Sequence, residues 1–115
     1  MDINTWLIKF KNSWETKKVN EVLSLFSNDV SYFETPFKKL EDFKDLEKEW
    51  SVILDQNNIK LDYTIYSESG SKYTVQWGLY YTSKDGKEKF LKGIYLITLD
   101  KSGLCTEFIQ YGETA

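Results

Sequence analysis

From Ile59 to Tyr111 the chain is built almost entirely of alternation and tight turns. Ile59, Leu61, Tyr63 and Ile65 are interleaved with Lys60, Asp62 and Thr64, the two-residue period of a strand with one apolar face. Ser67 to Ser71, centred on Gly70, reverse the chain into a long run from Lys72 to Ser83. Lys84-Asp85-Gly86-Lys87 is a hairpin turn of the Asp-Gly type, and Glu88 to Leu99 is the partner strand. Asp100 to Gly103 turn once more, and Leu104 to Tyr111 close the series. Four long consecutive strands with short connections specify an antiparallel meander, which twists and needs a layer packed against it.

That layer comes from the N-terminal half. Trp6, Leu7, Phe10 and Trp14 fall at helical spacing within residues 4–17, with Lys9, Lys11, Asn12 and Glu15 on the opposite side. Asn4 or Thr5 is expected to cap this helix, and Lys17 and Lys18 suit its C-terminal dipole. Asn20 is expected to cap a second, short helix with Val22, Leu23, Leu25 and Phe26 inward, ended by Ser27, Asn28 and Asp29. Val30 to Thr35 is β-like and stops at Pro36, the only proline. Residues 40–55 carry Phe43, Leu46, Trp50 and Ile53 on one helical face, with Asp42 as N-cap and the Glu and Lys residues of 41–49 as a solvated face. The expectation is one α+β domain spanning residues 1–115, three helices followed by a four-stranded meander.

Composition narrows the function classes. The net charge is −3, so no basic field exists to draw nucleic acid or an anionic membrane. All 15 basic residues are Lys, which removes the bidentate guanidinium. There is no His, hence no imidazole base or ligand. Cys105 stands alone: it forms no internal disulfide, builds no zinc site, and reads as a buried packing residue. No metal and no cofactor are expected. No apolar run is long enough to span a membrane and the N-terminus lacks a signal pattern, so a cytoplasmic protein is expected, with residue usage like that of an AT-rich bacterial genome. Aromatic residues make up 17% of the chain, enough to wall a core, a cavity or an interface.

Three segments in this order resemble one superfamily. They are Val19-Asn-Glu-Val-Leu-Ser-Leu-Phe-Ser-Asn-Asp29, Tyr32-Phe-Glu-Thr-Pro-Phe37, and Gly93-Ile-Tyr-Leu-Ile-Thr-Leu-Asp-Lys-Ser-Gly103 followed by Phe108-Ile-Gln-Tyr-Gly-Glu113. The chain is similar to the nuclear transport factor 2-like (cystatin-like) proteins, and within them to the SnoaL-like group related to polyketide cyclases and ketosteroid isomerase. The resemblance implies a cone-shaped, curved antiparallel sheet wrapped around three helices and enclosing a pocket. It does not settle activity, because such folds carry both enzymes and binding proteins.

Position by position, the catalytic sets of the resembled enzymes are missing. Where the isomerase has its Asp base, just before the proline, this chain has Thr35, a hydroxyl without a partner to activate it. The positions matching its oxyanion hole fall near Phe10 and at Tyr95, of which only Tyr95 can donate. An Asp–Arg–Asp epoxide hydrolase set lacks its Arg, and a scytalone dehydratase-like set lacks its His. Glu34 and Glu107 are expected to point away from the concave face set by Thr35 and Phe108, unless the register slips by one. The expected pocket lining is Phe33, Thr35, Gln76, Tyr80, Tyr95, Phe108 and Gln110 from the sheet, with Phe10, Trp14 and Trp50 from the helices. These residues suit a small apolar or aromatic ligand. The alternative is an isomerase, cyclase or dehydratase acting on a polyketide- or steroid-like substrate through Tyr95, Thr35 or a carboxylate. The opposite sheet face, Trp77, Leu79, Tyr81, Ile94, Ile109 and Tyr111, is expected to pair two copies of the chain.

Overall fold

The computed structural model describes all 115 residues. Helix α1 (Ile3–Glu15) starts two residues earlier than expected, because Asp2 and not Asn4 or Thr5 caps it: the Asp2 carboxylate accepts the Thr5 N–H at 2.8 Å. Its buried stripe is Ile3, Trp6, Leu7, Phe10 and Trp14, with Ser13. Helix α2 (Val19–Leu23) is shorter than its apolar pattern, and Phe26 opens strand β1 (Phe26–Thr35). Tertiary pairing overrides helical propensity there. The Leu25 carbonyl accepts both the Cys105 N–H and the Trp6 indole N–H, each at 2.9 Å, which draws the chain into the sheet.

Pro36 ends β1 and a two-residue strand β2 (Lys38–Lys39) folds back on it. Helix α3 (Phe43–Ser51) is capped by Asp42, whose carboxylate accepts the Asp45 N–H at 2.9 Å. It tightens into a 3₁₀ turn (Val52–Asp55) before β3 (Asn57–Ser69). Strands β4 (Lys72–Thr82), β5 (Glu88–Leu99) and β6 (Cys105–Thr114) follow the sequence pattern closely.

The sheet order is β2-β1-β6-β5-β4-β3, curved around the helices and unclosed. It is not wholly antiparallel: β1 runs parallel to β6, with Tyr32 beside Phe108. A parallel neighbour needs a long crossover, and here everything between β1 and β6 supplies it. Ladder partners share a face. Val75, Tyr95 and Gln110 therefore form one row on the inner face, and Gln76, Ile94 and Tyr111 form the next on the outer face.

The inner face carries a continuous aromatic core. Phe108, fully buried, stacks on Tyr32 at 4.9 Å and meets Tyr95 at 4.7 Å and Phe26 at 5.5 Å. Phe10 reaches down between Tyr95 at 5.8 Å and Trp50 at 5.4 Å. Trp77 stacks on Tyr95 at 5.1 Å. The indole of Trp77 lies over Gly93 and Gly112, which follow it in the same ladder row, because no Cβ stands there to lift it. Glu15 fastens α1 to the sheet by accepting the Leu61 N–H at 2.9 Å while pairing with Lys11 at 2.8 Å. No helix is long and apolar enough to cross a membrane.

Candidate functional site

Helix α3 and its 3₁₀ extension do not lie flat on the sheet. Between them and the inner face a cavity of about 140 Å³ remains. Trp14, Trp50, Val52 and Ile53 wall the helix side, and Tyr32, Trp77, Leu79, Tyr81 and Leu91 wall the sheet side. The polar groups on it are Glu49, Gln56 and Gln110. Gln56 is fixed by the Trp14 indole, which donates to its Oε1 at 2.9 Å.

Two further donors on the cavity wall are unmatched. Trp50 and Trp77 are buried, and neither indole N–H has a hydrogen-bond partner. A buried donor left without an acceptor is costly, and the packing around both nitrogens shuts them off from the open space of the cavity. The Tyr32 hydroxyl sits beside the Trp50 indole N–H, without hydrogen-bond geometry, and burial pushes its phenol well above the ordinary value.

Glu49 is the carboxylate of the site. Position 49 follows Leu46 by three and precedes Ile53 by four, on the flank of the buried helical stripe. Burial, then the neighbouring Glu34 carboxyl, raises its pKa above the ordinary glutamate value, while Lys38 works in the opposite direction. Lys38 Nζ lies 2.8 Å from Glu34 Oε2, so the lysine charge is committed chiefly to Glu34. The expectation of a wholly solvated face over 41–49 therefore needs correction at Glu49. The helical spacing carried the signal.

The expected lining divides into three groups. Trp14, Trp50 and Gln110 line the cavity. Phe10, Tyr95 and Phe108 point inward but lie in the packed aromatic core beneath it, each no more than 1% exposed. Burial alone pushes the Tyr95 phenol far above its usual value, with no charged or hydrogen-bonding neighbour. Phe33, Thr35, Gln76 and Tyr80 are the corrections. Gln76 and Tyr80 stand on the outer face opposite Ile94 and Phe90, and the Tyr80 hydroxyl donates to Glu88 at 2.8 Å. Tyr32 takes the inward position on β1, which turns Phe33 outward, and Thr35 is exposed beyond an irregularity in the β1–β2 register. Glu34 consequently shares the side of Tyr32 and reaches Glu49, whereas Glu107 faces outward, 4.0 Å from Lys72. Trp77, Leu79 and Tyr81, expected on an intersubunit face, are inside the cone. Cys105 is buried, its thiol donating to the Glu107 carbonyl at 3.2 Å. No three His, Cys, Asp or Glu side chains converge as metal ligands.

The sequence matches no protein-family model and none of the curated proteins. The fold decides the comparison. An NTF2-like protein of unknown function from Exiguobacterium sp. 255-15 superposes with a TM-score of 0.78 at 17% identity, covering 94% of this chain and 98% of that one. This chain has the NTF2-like fold. Other proteins of the NTF2-like fold superpose as well. A Mycobacterium tuberculosis protein in complex with estradiol-17beta-hemisuccinate matches with a TM-score of 0.78 at 14% identity, over 94% of this chain and 91% of that one. The Delta 5-3-ketosteroid isomerase from Mycobacterium sp. matches at 0.71 and 15% identity, over 98% of each chain. Identities this low establish the NTF2-like architecture and leave the chemistry to the residues of the site.

Proposed function

We propose that this protein binds a small, mostly apolar molecule in the cavity between α3 and the inner sheet face. The observation that carries the reading is an aromatic-walled cavity of about 140 Å³ between the helix and the sheet. Apolar cavities of about 150 Å³ accept a benzene-sized guest, and sites for drug-sized ligands start at about 300 Å³. A single ring fits this scale better than the four fused rings of a steroid. The steroid derivative held by the M. tuberculosis protein supports the use of this fold for enclosing an apolar body.

The test uses the tryptophans themselves. Titration with benzene or phenol is expected to change the fluorescence of the chain saturably, because Trp14, Trp50 and Trp77 line the cavity. Val52→Trp at the rim, where Val52 is 54% exposed, is expected to weaken that binding at least about tenfold at little cost in stability. A wild-type chain that responds to neither probe, or a variant that binds as well as its parent, refutes the reading.

A second reading is favoured by one observation, the carboxyl of Glu49 in the cavity with a raised pKa. Such a group is a candidate general acid or base, so an isomerase, cyclase or dehydratase activity would centre on Glu49 in place of Thr35 or Tyr95.

We also propose that two copies of the chain associate through the outer sheet face. Phe90, Ile94 and Tyr111 are 45%, 38% and 44% exposed there, with Phe33 and Ile109 half-buried beside them. Lys92 and Glu113, cross-strand neighbours on the same face, give it both signs of charge. Light scattering is expected to report a dimer for the parent and a monomer for Ile94→Lys; a parent that is monomeric at working concentration rejects the pairing.

A further inference from the structure

We infer that two copies lock together through the gap that Gly78 leaves in the outer sheet face. Each copy seats its Lys92 in the gap of the other and pairs it there with Asp62. The inference rests on the outer-face association proposed above and names the contact that makes it specific. One ladder row crosses that face from β3 to β6 in the order Asp62, Gly78, Lys92, Glu113. Its first support is shape. A Cβ at Gly78 has no atom within 4 Å, and the gap opens into a groove of about 790 Å³ over β3, β4 and β5, rimmed by Lys60, Gln76, Tyr80, Phe90 and Ile94. Its second support is charge. Asp62, Lys92 and Glu113 are exposed, and none of them forms an ion pair within the chain. The Lys92 ammonium lies 5.7 Å from the centroid of the Phe90 ring, which keeps its stem on the outer face.

Symmetry joins shape and charge into one contact. Two copies related by a two-fold axis present the same patch to each other, so what one inserts it also receives. Sheets packed face to face keep their strands within about 30° of aligned. An axis running along the strands between β4 and β5 sets β5 of each copy over β4 of the other. Gly78 and Lys92 are ladder partners, so the same axis brings them to one level. The Lys92 stem then fills the space where a side chain is missing. Its ammonium stands about one strand spacing, ~4.8 Å, from Asp62 of the second copy on one side and from Glu113 of its own chain on the other. A lysine between two carboxylates draws the copies together, and its methylene stem covers the groove floor. A second copy is the occupant that matches, because this one row supplies the gap, the cation that enters it and the anions that receive it.

Sedimentation equilibrium of the parent and four variants, each checked for native circular dichroism, tests the contact. Gly78→Ala, whose methyl leaves the groove open, is expected to keep the dissociation constant of the dimer within about threefold of the parent. Gly78→Leu fills the gap and is expected to raise that constant at least about tenfold. Lys92→Glu sets carboxylates against one another and is expected to raise it at least about tenfold as well. Adding Asp62→Lys to Lys92→Glu restores opposite charges across the contact, and the double variant is expected to recover most of the loss. Two results overturn the inference and leave outer-face pairing standing: a Gly78→Leu variant that dimerises as tightly as a dimeric parent, or a double variant no tighter than Lys92→Glu alone. A monomeric parent removes the pairing, and the contact with it.

Discussion

Replacing Gly93 by Ala is expected to leave little folded protein. A Cβ at this position stands 1.9 Å from the Tyr111 carbonyl oxygen, 2.7 Å from Trp77 Cζ2 and 2.8 Å from the Gly112 Cα. Two of those atoms are backbone of β6, held in register with β5 on both sides of the contact. The third belongs to an indole that is itself stacked on Tyr95. Relief therefore means parting two central strands or lifting Trp77 out of the core. Either costs about 4 kcal/mol or more, a large share of the stability of a chain this size. Gly78→Ala is the control, since Gly78 has open space around its Cβ position on the outer face; it is expected to change stability by less than about 1 kcal/mol. Urea unfolding of the two variants separates them. If Gly93→Ala unfolds within about 1 kcal/mol of its parent, the seat described for Trp77 is wrong.

The same row of the sheet explains what the sequence could and could not reveal. Helix faces were legible, because Trp6, Phe10 and Trp14, and Leu46, Trp50 and Ile53, repeat at a spacing that only a helix brings together. Strand ends were legible where a turn demanded a special residue, as at Gly86 with φ of 84°. Strand facing in β4 was not legible from hydrophobicity, since Tyr73, Trp77 and Tyr81 alternate with Gln76, Gly78 and Tyr80, and aromatics fall on both parities. Yet the Asp-Gly turn held the answer. Pairing Thr82 with Glu88 across it carries the ladder to Gln76 opposite Ile94 and Val75 opposite Tyr95. Gln76 and Tyr95 thus cannot share a face, whatever their side chains favour. For β1 no such arithmetic existed. Its partner β6 is parallel and far along the chain, so nothing local distinguished Tyr32 from Phe33 as the inward residue. That one-residue slip carried Thr35 away from the cavity and brought Glu34 to Glu49.

Phe108→Ala is the second variant with a large expected effect, and it connects the core to the site. Phe108 is completely buried at the meeting point of β1, β5, β6 and α1. Truncation removes a ring that touches five others and opens a void that the stiff rings around it cannot collapse to fill, for a loss of about 3–5 kcal/mol. Tyr32 suffers most directly, because its ring lies flat on Phe108 at 4.9 Å with 13° between planes. Without that support the Tyr32 hydroxyl no longer has a fixed place beside the Trp50 indole. Ligand affinity is therefore expected to fall in the folded fraction as well, at a temperature where circular dichroism shows the variant native. Phe108→Leu retains most of the volume and is expected to lose about 1–2 kcal/mol while keeping more of the affinity. Should Phe108→Ala lose stability but bind phenol like its parent, the aromatic stack supports the fold alone, and Tyr32 owes its position in the cavity to other contacts.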